Sequence, residues 1–228
     1  MENCKPVQTP LELQPNYDVT KECIANAKPY RELVGSLMYA CLTTRPDICT
    51  AVNFYSQFQT DATERQWVGL KRVLRYLQGT LDLGFRFKGI SDVSLLGYAD
   101  TDFANRPDKK SVTGYLFEMY GDAVCWATKK QQTVALSTTE SEFVARPSAI
   151  DNQSCICAVG SWKQKRLKYI DIKYKFINDL CQNNVITIRY IPSVEQKADM
   201  LTKGLSSDLF VGHRKHLGMI EVPSHTLA

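Results

Sequence analysis

Residues 95–142 constrain the fold of this chain more than any other stretch, because they predict three consecutive strands followed by the start of a helix. Three runs rich in apolar and β-favouring side chains cover residues 93–103, 112–120 and 123–128. Gly121-Asp122 separates the last two runs, and glycine at the first loop position is typical of a type II′ hairpin turn. We therefore predict an antiparallel three-strand meander with Gly121-Asp122 at its second turn.

Acidic residues occupy one strand of this unit and the helix that follows. Asp100 and Asp102 end the first run, and their spacing of two places both side chains on the same face of a strand. The tetrapeptide STTE at 137–140 is a capping box, the signature of a helix N-terminus, and Glu142 falls in the first turns of that helix. A strand carboxylate that faces a helix carboxylate is one arrangement with which hydrolases bind divalent metal ions.

Composition sets broad limits on the class of protein. The 228 residues are 44% hydrophobic and 23% charged, which is ordinary for a globular protein. The net charge of +4 permits nucleic-acid binding without requiring it. The eight cysteines are scattered, the first residues show no secretory signal, and no run approaches the ~18 apolar residues of a membrane span. We therefore expect an intracellular protein with reduced thiols.

Periodicity predicts further elements before the strand unit. Residues 1–28 hold several prolines and little periodicity, so we expect an extended, mobile segment. Residues 30–79 carry three apolar stripes at helical spacing, and Asp61 and Glu64 can cap the third helix. Residues 84–88 predict a short strand.

Three basic residues, Lys71, Arg72 and Arg75, lie off the apolar stripe of the third helix. They indicate either an ordinary solvated helix face or an edge that contacts the phosphates of a nucleic-acid duplex.

The last part of the chain also alternates between helical and strand patterns. The spacing predicts a helix within residues 162–183 and a β-branched strand at residues 184–191. Ser193 and Gln196 form a second capping box, which predicts a helix that carries Asp199. A final short helix is predicted over residues 210–220.

The chain contains several long motifs: GYADTDFAN, KKSVTGYLF, CWATKKQQTVALSTTESEFVA, DNQS, KYIDIKY and EQKADMLTKGL. Together they resemble the RNase H region of a copia-type retrotransposon Pol polyprotein. Further upstream, YRELVGSLMYACLTTRPDICTAVNFYSQF and LKRVLRYLQGT resemble the segment that joins reverse transcriptase to RNase H in the same polyprotein.

The resemblance covers nearly the whole chain and implies a C-terminal fragment of that polyprotein. The implied fold is α/β, an RNase H-like mixed sheet flanked by helices and preceded by a helical connection segment. The implied regions are an extended segment, a helical connection region, the RNase H-like domain, and a C-terminal helix and tail, at residues 1–28, 29–91, 92–205 and 206–228.

The resemblance also implies an activity, the cleavage of the RNA strand of RNA–DNA hybrids by two Mg²⁺ ions during retrotransposition. The implied catalytic residues and metal ligands are Asp100, Glu142, Asp151 and Asp199. The expected partners are an RNA–DNA hybrid or other nucleic acid and the remainder of the polyprotein, with no membrane. The expected location is the cytoplasm, in a virus-like particle, or the nucleus. The motifs do not include a polymerase palm, so we do not expect this chain to be a reverse transcriptase by itself.

The spacing between Glu142 and Asp151 departs from the family pattern. A long helix, a loop and a strand separate these positions in the family, which requires about 25 residues or more. Here the two carboxylates are nine positions apart. We also expect Pro147 to end the helix after Ala145. We interpret these features as an internal deletion between Ala145 and Asp151 that removes a helix and most of a strand.

The deletion predicts an incomplete site. We expect Asp100, Glu142 and Asp199 to converge at one end of the sheet, while Asp151 is displaced because its strand is missing. A preorganised ligand must be held to within roughly 0.5 Å, so we expect weak Mg²⁺ binding and little or no cleavage. The alternatives are a surviving Mg²⁺-dependent nuclease and a non-catalytic module that binds nucleic acid or another partner.

Overall fold

Three helices precede a run of four strands in a computed structural model, which describes residues 4–18, 23–24, 28–87, 95–150 and 179–222. In chain order the elements are α1 (Tyr30–Thr43), α2 (Cys49–Tyr55), α3 (Glu64–Gln78), β1 (Leu83–Phe85), β2 (Leu95–Asp102), β3 (Val112–Met119), β4 (Asp122–Lys130), α4 (Thr138–Ile150), α5 (Ser207–His216) and β5 (Met219–Glu221). The mixed α/β architecture agrees with the predicted fold class. Within the parts of the chain that the structure describes, no helix is both long and apolar enough to cross a membrane.

The predicted helical region is confirmed. Its apolar stripes face inward, where Leu37 and Val52 are 3% and 0% exposed, except that Leu42 at the end of the first stripe is 57% exposed. The predicted cap of α3 is wrong, because the capping box is formed by Thr63 and Gln66 rather than by Asp61 and Glu64. Thr63 has the extended backbone that an N-cap requires, and its N–H donates to Gln66 Oε1 at 3.1 Å.

The N-terminal segment 4–18 forms no helix or strand, and it packs against α3 rather than being mobile as predicted. Leu11 is buried in the main core, and the ring of Tyr17 contacts Phe54 with centroids 5.0 Å apart. Arg72 donates from Nε to the main-chain oxygen of Thr9 at 3.0 Å.

Arg75 of α3 likewise donates to the main-chain oxygen of Lys5 at 2.7 Å. Neither interpretation of these basic side chains anticipated the contacts of Arg72 and Arg75 with the N-terminal segment. Both side chains donate hydrogen bonds to main-chain oxygens of the N-terminal segment.

The three-strand meander is confirmed, with β3 between β2 and β4 and both pairings antiparallel. The predicted turn is wrong by one residue. Met119 pairs with Asp122, so the two-residue loop is Tyr120-Gly121. Both loop residues have positive φ, 56° and 78°, which is the requirement of a type I′ turn. Glycine therefore stands at the second loop position, and Tyr120 has a left-handed backbone conformation that non-glycine residues disfavour.

A second, two-stranded sheet pairs β1 with β5 antiparallel. The predicted helix over residues 210–220 is present but shifted, because α5 begins at Ser207 and ends before β5. Helix α5 ends at His216, and Gly218 at φ 80° turns the chain into β5. The predicted strand near residues 84–88 is present at Leu83–Phe85.

Two other predictions after residue 183 are wrong. Residues 186–191 form no strand, because β-branched side chains need a neighbouring strand to complete a ladder and the segment has none among the described residues. The predicted helix after Ser193 is replaced by two short 3₁₀ helices, Ser193–Glu195 and Asp199–Leu201. Gln196 does not close a capping box, because its Oε1 accepts from the N–H of Ala198 at 3.2 Å rather than from the N–H of Ser193. Its Nε2 donates to the main-chain oxygen of Ala99 at 3.0 Å.

Helix α4 continues through Pro147 to Ile150, so the prediction that Pro147 ends it is wrong. A proline removes one main-chain hydrogen bond but has a φ that a helix accepts, so it weakens a helix without necessarily ending it. The helix predicted within residues 162–183 lies outside the described residues except for residues 179–182, which are helical.

Candidate acidic site

The site is built where the 3₁₀ helix Asp199–Leu201 packs against β3. Gly114, which pairs with Asp100 across β2 and β3, makes this contact possible. A Cβ atom at Gly114 would lie 2.7 Å from Leu201 Cβ and 2.9 Å from the main-chain oxygen of Ala198. Only glycine therefore allows this close approach, which brings Asp199 beside Asp100.

Thr202 connects the two acidic positions. Its Oγ1 lies 2.9 Å from Asp100 Oδ2 and 2.8 Å from the main-chain oxygen of Asp199. A hydroxyl has a single proton, so it donates to one of these acceptors at a time. Burial raises the pKa of Asp100, and the negative charge of Asp199 raises it further, against the hydrogen bond from Thr202.

Lys203 supplies the positive charge of the site. Its Nζ lies 2.5 Å from Asp199 Oδ1, four residues earlier in the chain. Burial lowers the pKa of Lys203, but the hydrogen bond and charge of Asp199 and the charges of Asp100 and Asp102 outweigh burial and raise it. The acidic cluster is therefore neutralised in part by a lysine of the chain itself.

Asp102 lies on the same strand face as Asp100, as their spacing predicts. Burial raises its pKa, and a hydrogen bond from Asn105 Nδ2 at 3.3 Å opposes that shift. Asp102 was not among the predicted metal ligands.

Sequence reasoning missed His213 as a neighbour of this site. His213 lies on α5, is 5% exposed, and places Nε2 3.8 Å from Asp199 Oδ2. Its Nδ1 has no hydrogen-bond partner among the described residues. Burial lowers its pKa, so the imidazole is favoured in its neutral form. The helical spacing of buried Phe210 and His213 was the available signal, because it places both side chains on the inner face of α5.

The structure describes only one of the other two predicted ligands. Glu142 is exposed on α4, which packs against β2 where Thr101 Oγ1 lies 3.4 Å from Ser141 Oγ. Asp151 lies outside the described residues. In the described part of the chain, no three His, Cys, Asp or Glu side chains form a group that could hold a metal ion. The described residues therefore do not fit a two-metal site, although Asp100 and Asp199 are adjacent.

The helical region, the antiparallel meander and the acid-bearing strand together define an α/β protein of the RNase H-like class. No family model matches the chain, and no solved structure matches it. Curated proteins do match it over nearly its whole length.

The chain is 36% identical to the retrovirus-related Pol polyprotein from transposon TNT 1-94 of Nicotiana tabacum, over 253 aligned positions that include 96% of the chain. It is 33% identical to the corresponding polyprotein from transposon RE2 of Arabidopsis thaliana, over 98% of the chain. A shorter match, 46% identical over 122 residues, joins 53% of the chain to 86% of the secreted RxLR effector protein 161 of Plasmopara viticola.

The chain belongs to the family of retrovirus-related Pol polyproteins of copia-type transposons. It spans 19% and 17% of the lengths of the TNT 1-94 and RE2 polyproteins, so it corresponds to a fragment of such a polyprotein.

Proposed function

We propose that the RNase H-like domain descends from a nuclease that cleaves the RNA strand of RNA–DNA hybrids, and that this chain does not itself cleave. The observation that supports the proposal is the composition of the acidic site. Asp100 and Asp199 are adjacent and Asp102 lies on the same strand face, but no three acidic, histidine or cysteine side chains of the described residues form a group that could hold a metal ion, and Lys203 is paired with Asp199. Two-metal hydrolysis needs several carboxylates that converge on both ions, which this set does not provide.

The lengths of the alignments support an internal deletion as the reason why the acidic site is incomplete. The matches to TNT 1-94 and RE2 each extend over 253 positions, whereas the whole chain has 228 residues. Each polyprotein therefore has aligned positions without a counterpart in this chain. We propose that the missing residues lie between Ala145 and Asp151, where the chain joins Glu142 to Asp151 across only nine positions. A deletion there removes the strand that would support Asp151.

The proposal is tested by hybrid cleavage with the purified 228-residue chain in Mg²⁺ and, separately, in Mn²⁺. We expect no cleavage of the RNA strand above the level of an Asp100→Asn variant. Mg²⁺-dependent turnover that both Asp100→Asn and Asp151→Asn abolish would contradict the proposal, because it would require an assembled site.

A binding module is the second candidate function. Two exposed lysines favour it, Lys109 in the loop before β3 and Lys129 near the end of β4. These lysines belong to the end of the meander that carries Asp102, where Asp102 pairs with Val112 and Val112 with Lys130. In the same samples, hybrid binding that weakens steeply with salt in the absence of cleavage would support this candidate.

A further inference from the structure

Residues 185–191, VITIRYI, are the most strand-like stretch of the described chain that is not in a strand. Five of the seven residues are β-branched, a composition that favours an extended, half-buried conformation. In the structure Val185, Ile188 and Tyr190 are instead 65%, 45% and 89% exposed. The segment therefore leaves apolar surface in solvent that a β-ladder would bury.

The main chain of this segment is also unpaired at its centre. The N–H groups of Val185 and Ile186 donate to the main-chain oxygen of Leu180, which lies within the preceding helical turn of residues 179–182. From residue 187 to residue 191, no main-chain hydrogen bond joins the segment to another residue that the structure describes. Extended chain with free N–H and C=O groups is able to add to the edge of a sheet.

Strand β2 presents a matching edge. It is an outer strand of the meander in the described chain, because the order is β2-β3-β4. Its first residues, Leu95, Leu96 and Gly97, are exposed, and the leucines are 36% and 48% exposed. Natural edge strands are usually protected by a lysine, a proline or a bulge, and residues 95–99 contain none of these.

The β2 edge is covered only toward its C-terminal end. Gln196 Nε2 donates to the main-chain oxygen of Ala99 at 3.0 Å, which occupies one outward-facing acceptor. The free part of the edge is therefore residues 95–98, and its apolar side chains complement the valine and isoleucines of residues 185–191.

We propose that two copies of this chain associate by reciprocal strand addition, in which residues 185–191 of each copy pair with the β2 edge of the other. The occupant is a second copy because the segment remains in solvent in its own copy, while one chain carries both the donor strand and the acceptor edge. Such an exchange is self-complementary about a two-fold axis and forms two equivalent ladders. The inference does not depend on the proposed function, because it uses neither the acidic site nor nucleic acid.

The association is tested by sedimentation velocity of the full 228-residue chain under reducing conditions, from roughly 1 to 100 µM. We expect a monomer–dimer equilibrium. Ile188→Lys damages the donor strand and Leu96→Lys damages the acceptor edge, and each is expected to raise the dimer dissociation constant about tenfold or more. Leu136→Lys is the matched control, because Leu136 is 89% exposed and lies in neither surface.

A mixture of the two damaged variants provides a sharper test. The Leu96→Lys chain retains its donor strand and the Ile188→Lys chain retains its acceptor edge, so the mixture is expected to form a heterodimer through one intact ladder. Hydrogen exchange at residues 187–191 is expected to slow as the wild-type concentration rises. A wild-type chain that stays monomeric up to the highest concentration would overturn the proposal. So would an unchanged dimer in Ile188→Lys, or exchange protection that is independent of concentration, which would indicate pairing within one copy.

Discussion

At the scale of single residues, small departures from the expected backbone decide where side chains lie. The loop of the β3–β4 hairpin is Tyr120-Gly121, and the shift of one residue from the predicted turn places Tyr120 at φ 56°. At Gly114 the decisive property is the absence of a side chain, which leaves room for the 3₁₀ helix that carries Asp199. Tyr120 and Gly114 both depend on backbone requirements that hydrophobic periodicity cannot predict.

The strain at Tyr120 gives a prediction about stability. Tyr120→Asn is expected to stabilise the fold by about 1 kcal/mol, because asparagine tolerates the left-handed conformation and Asn-Gly is a preferred type I′ loop. The tyrosine ring is 41% exposed, so little burial is lost. The free energy of unfolding is measured in urea, with Tyr120→Ala as the control. Alanine removes the ring but keeps the strain, so an equal gain in both variants would show that backbone conformation is not the cause.

At the scale of elements, the N-terminal segment is held by hydrogen bonds rather than by secondary structure. Arg72 binds both the main-chain oxygen and Oγ1 of Thr9, at 3.0 and 2.9 Å. Gln66 of the α3 capping box donates to the main-chain oxygens of Asn16 and Asp18 at 3.3 and 3.1 Å. The segment therefore behaves as part of the helical region, which its composition alone does not indicate.

Removal of the Arg72 contacts is expected to loosen this segment. Arg72→Met should cost about 1–2 kcal/mol of unfolding free energy, because the main-chain oxygen and Oγ1 of Thr9 lose their charged, partly buried donor. Limited proteolysis should also cut faster within residues 4–18. Lys71→Met is the control on the same helix, since the Lys71 ammonium lies over the Trp67 ring at 5.7 Å, whereas the contacts to Thr9 come from Arg72. Equal protease sensitivity of both variants would contradict the assigned role of Arg72.

At the scale of the whole molecule, a buried polar network joins the helical region to α5. Asp47 has a fully buried side chain and accepts two hydrogen bonds from Arg45, at 3.0 and 2.8 Å. Tyr76 donates to Asp47 Oδ2 at 2.5 Å, and Arg214 of α5 donates to the Tyr76 hydroxyl at 3.0 Å. Burial, followed by the charge of Asp47, raises the pKa of Tyr76, so the phenol stays protonated and remains a donor.

Loss of Asp47 is therefore expected to destabilise the helical region and α5 together. Asp47→Asn should cost about 3–5 kcal/mol, because it leaves the buried guanidinium of Arg45 without its counter-charge. Urea unfolding should shift equally by tryptophan fluorescence and by far-ultraviolet circular dichroism. Glu64→Gln is the control, since its surface ion pair with Lys28 should contribute less than about 1 kcal/mol. Separate transitions for the two probes would contradict the inferred coupling.

The sequence by itself determined the elements whose signals are local and repeated. The stripes of residues 30–79 are buried because helical spacing forces one apolar face, and the runs around β2, β3 and β4 pair because alternation and a short loop specify a hairpin. It also placed Asp100 and Asp102 on one strand face, since side chains alternate along a strand.

Only the tertiary structure decided how distant residues meet. Residues 186–191 have a strong strand pattern but form no strand, because a strand exists only with a neighbour and none of the described residues supplies one. Gln196 leaves its capping box for the carbonyl of Ala99, and His213 reaches Asp199 across the core. These contacts join residues far apart in the chain, so their energies depend on packing geometry that no local pattern of the sequence contains.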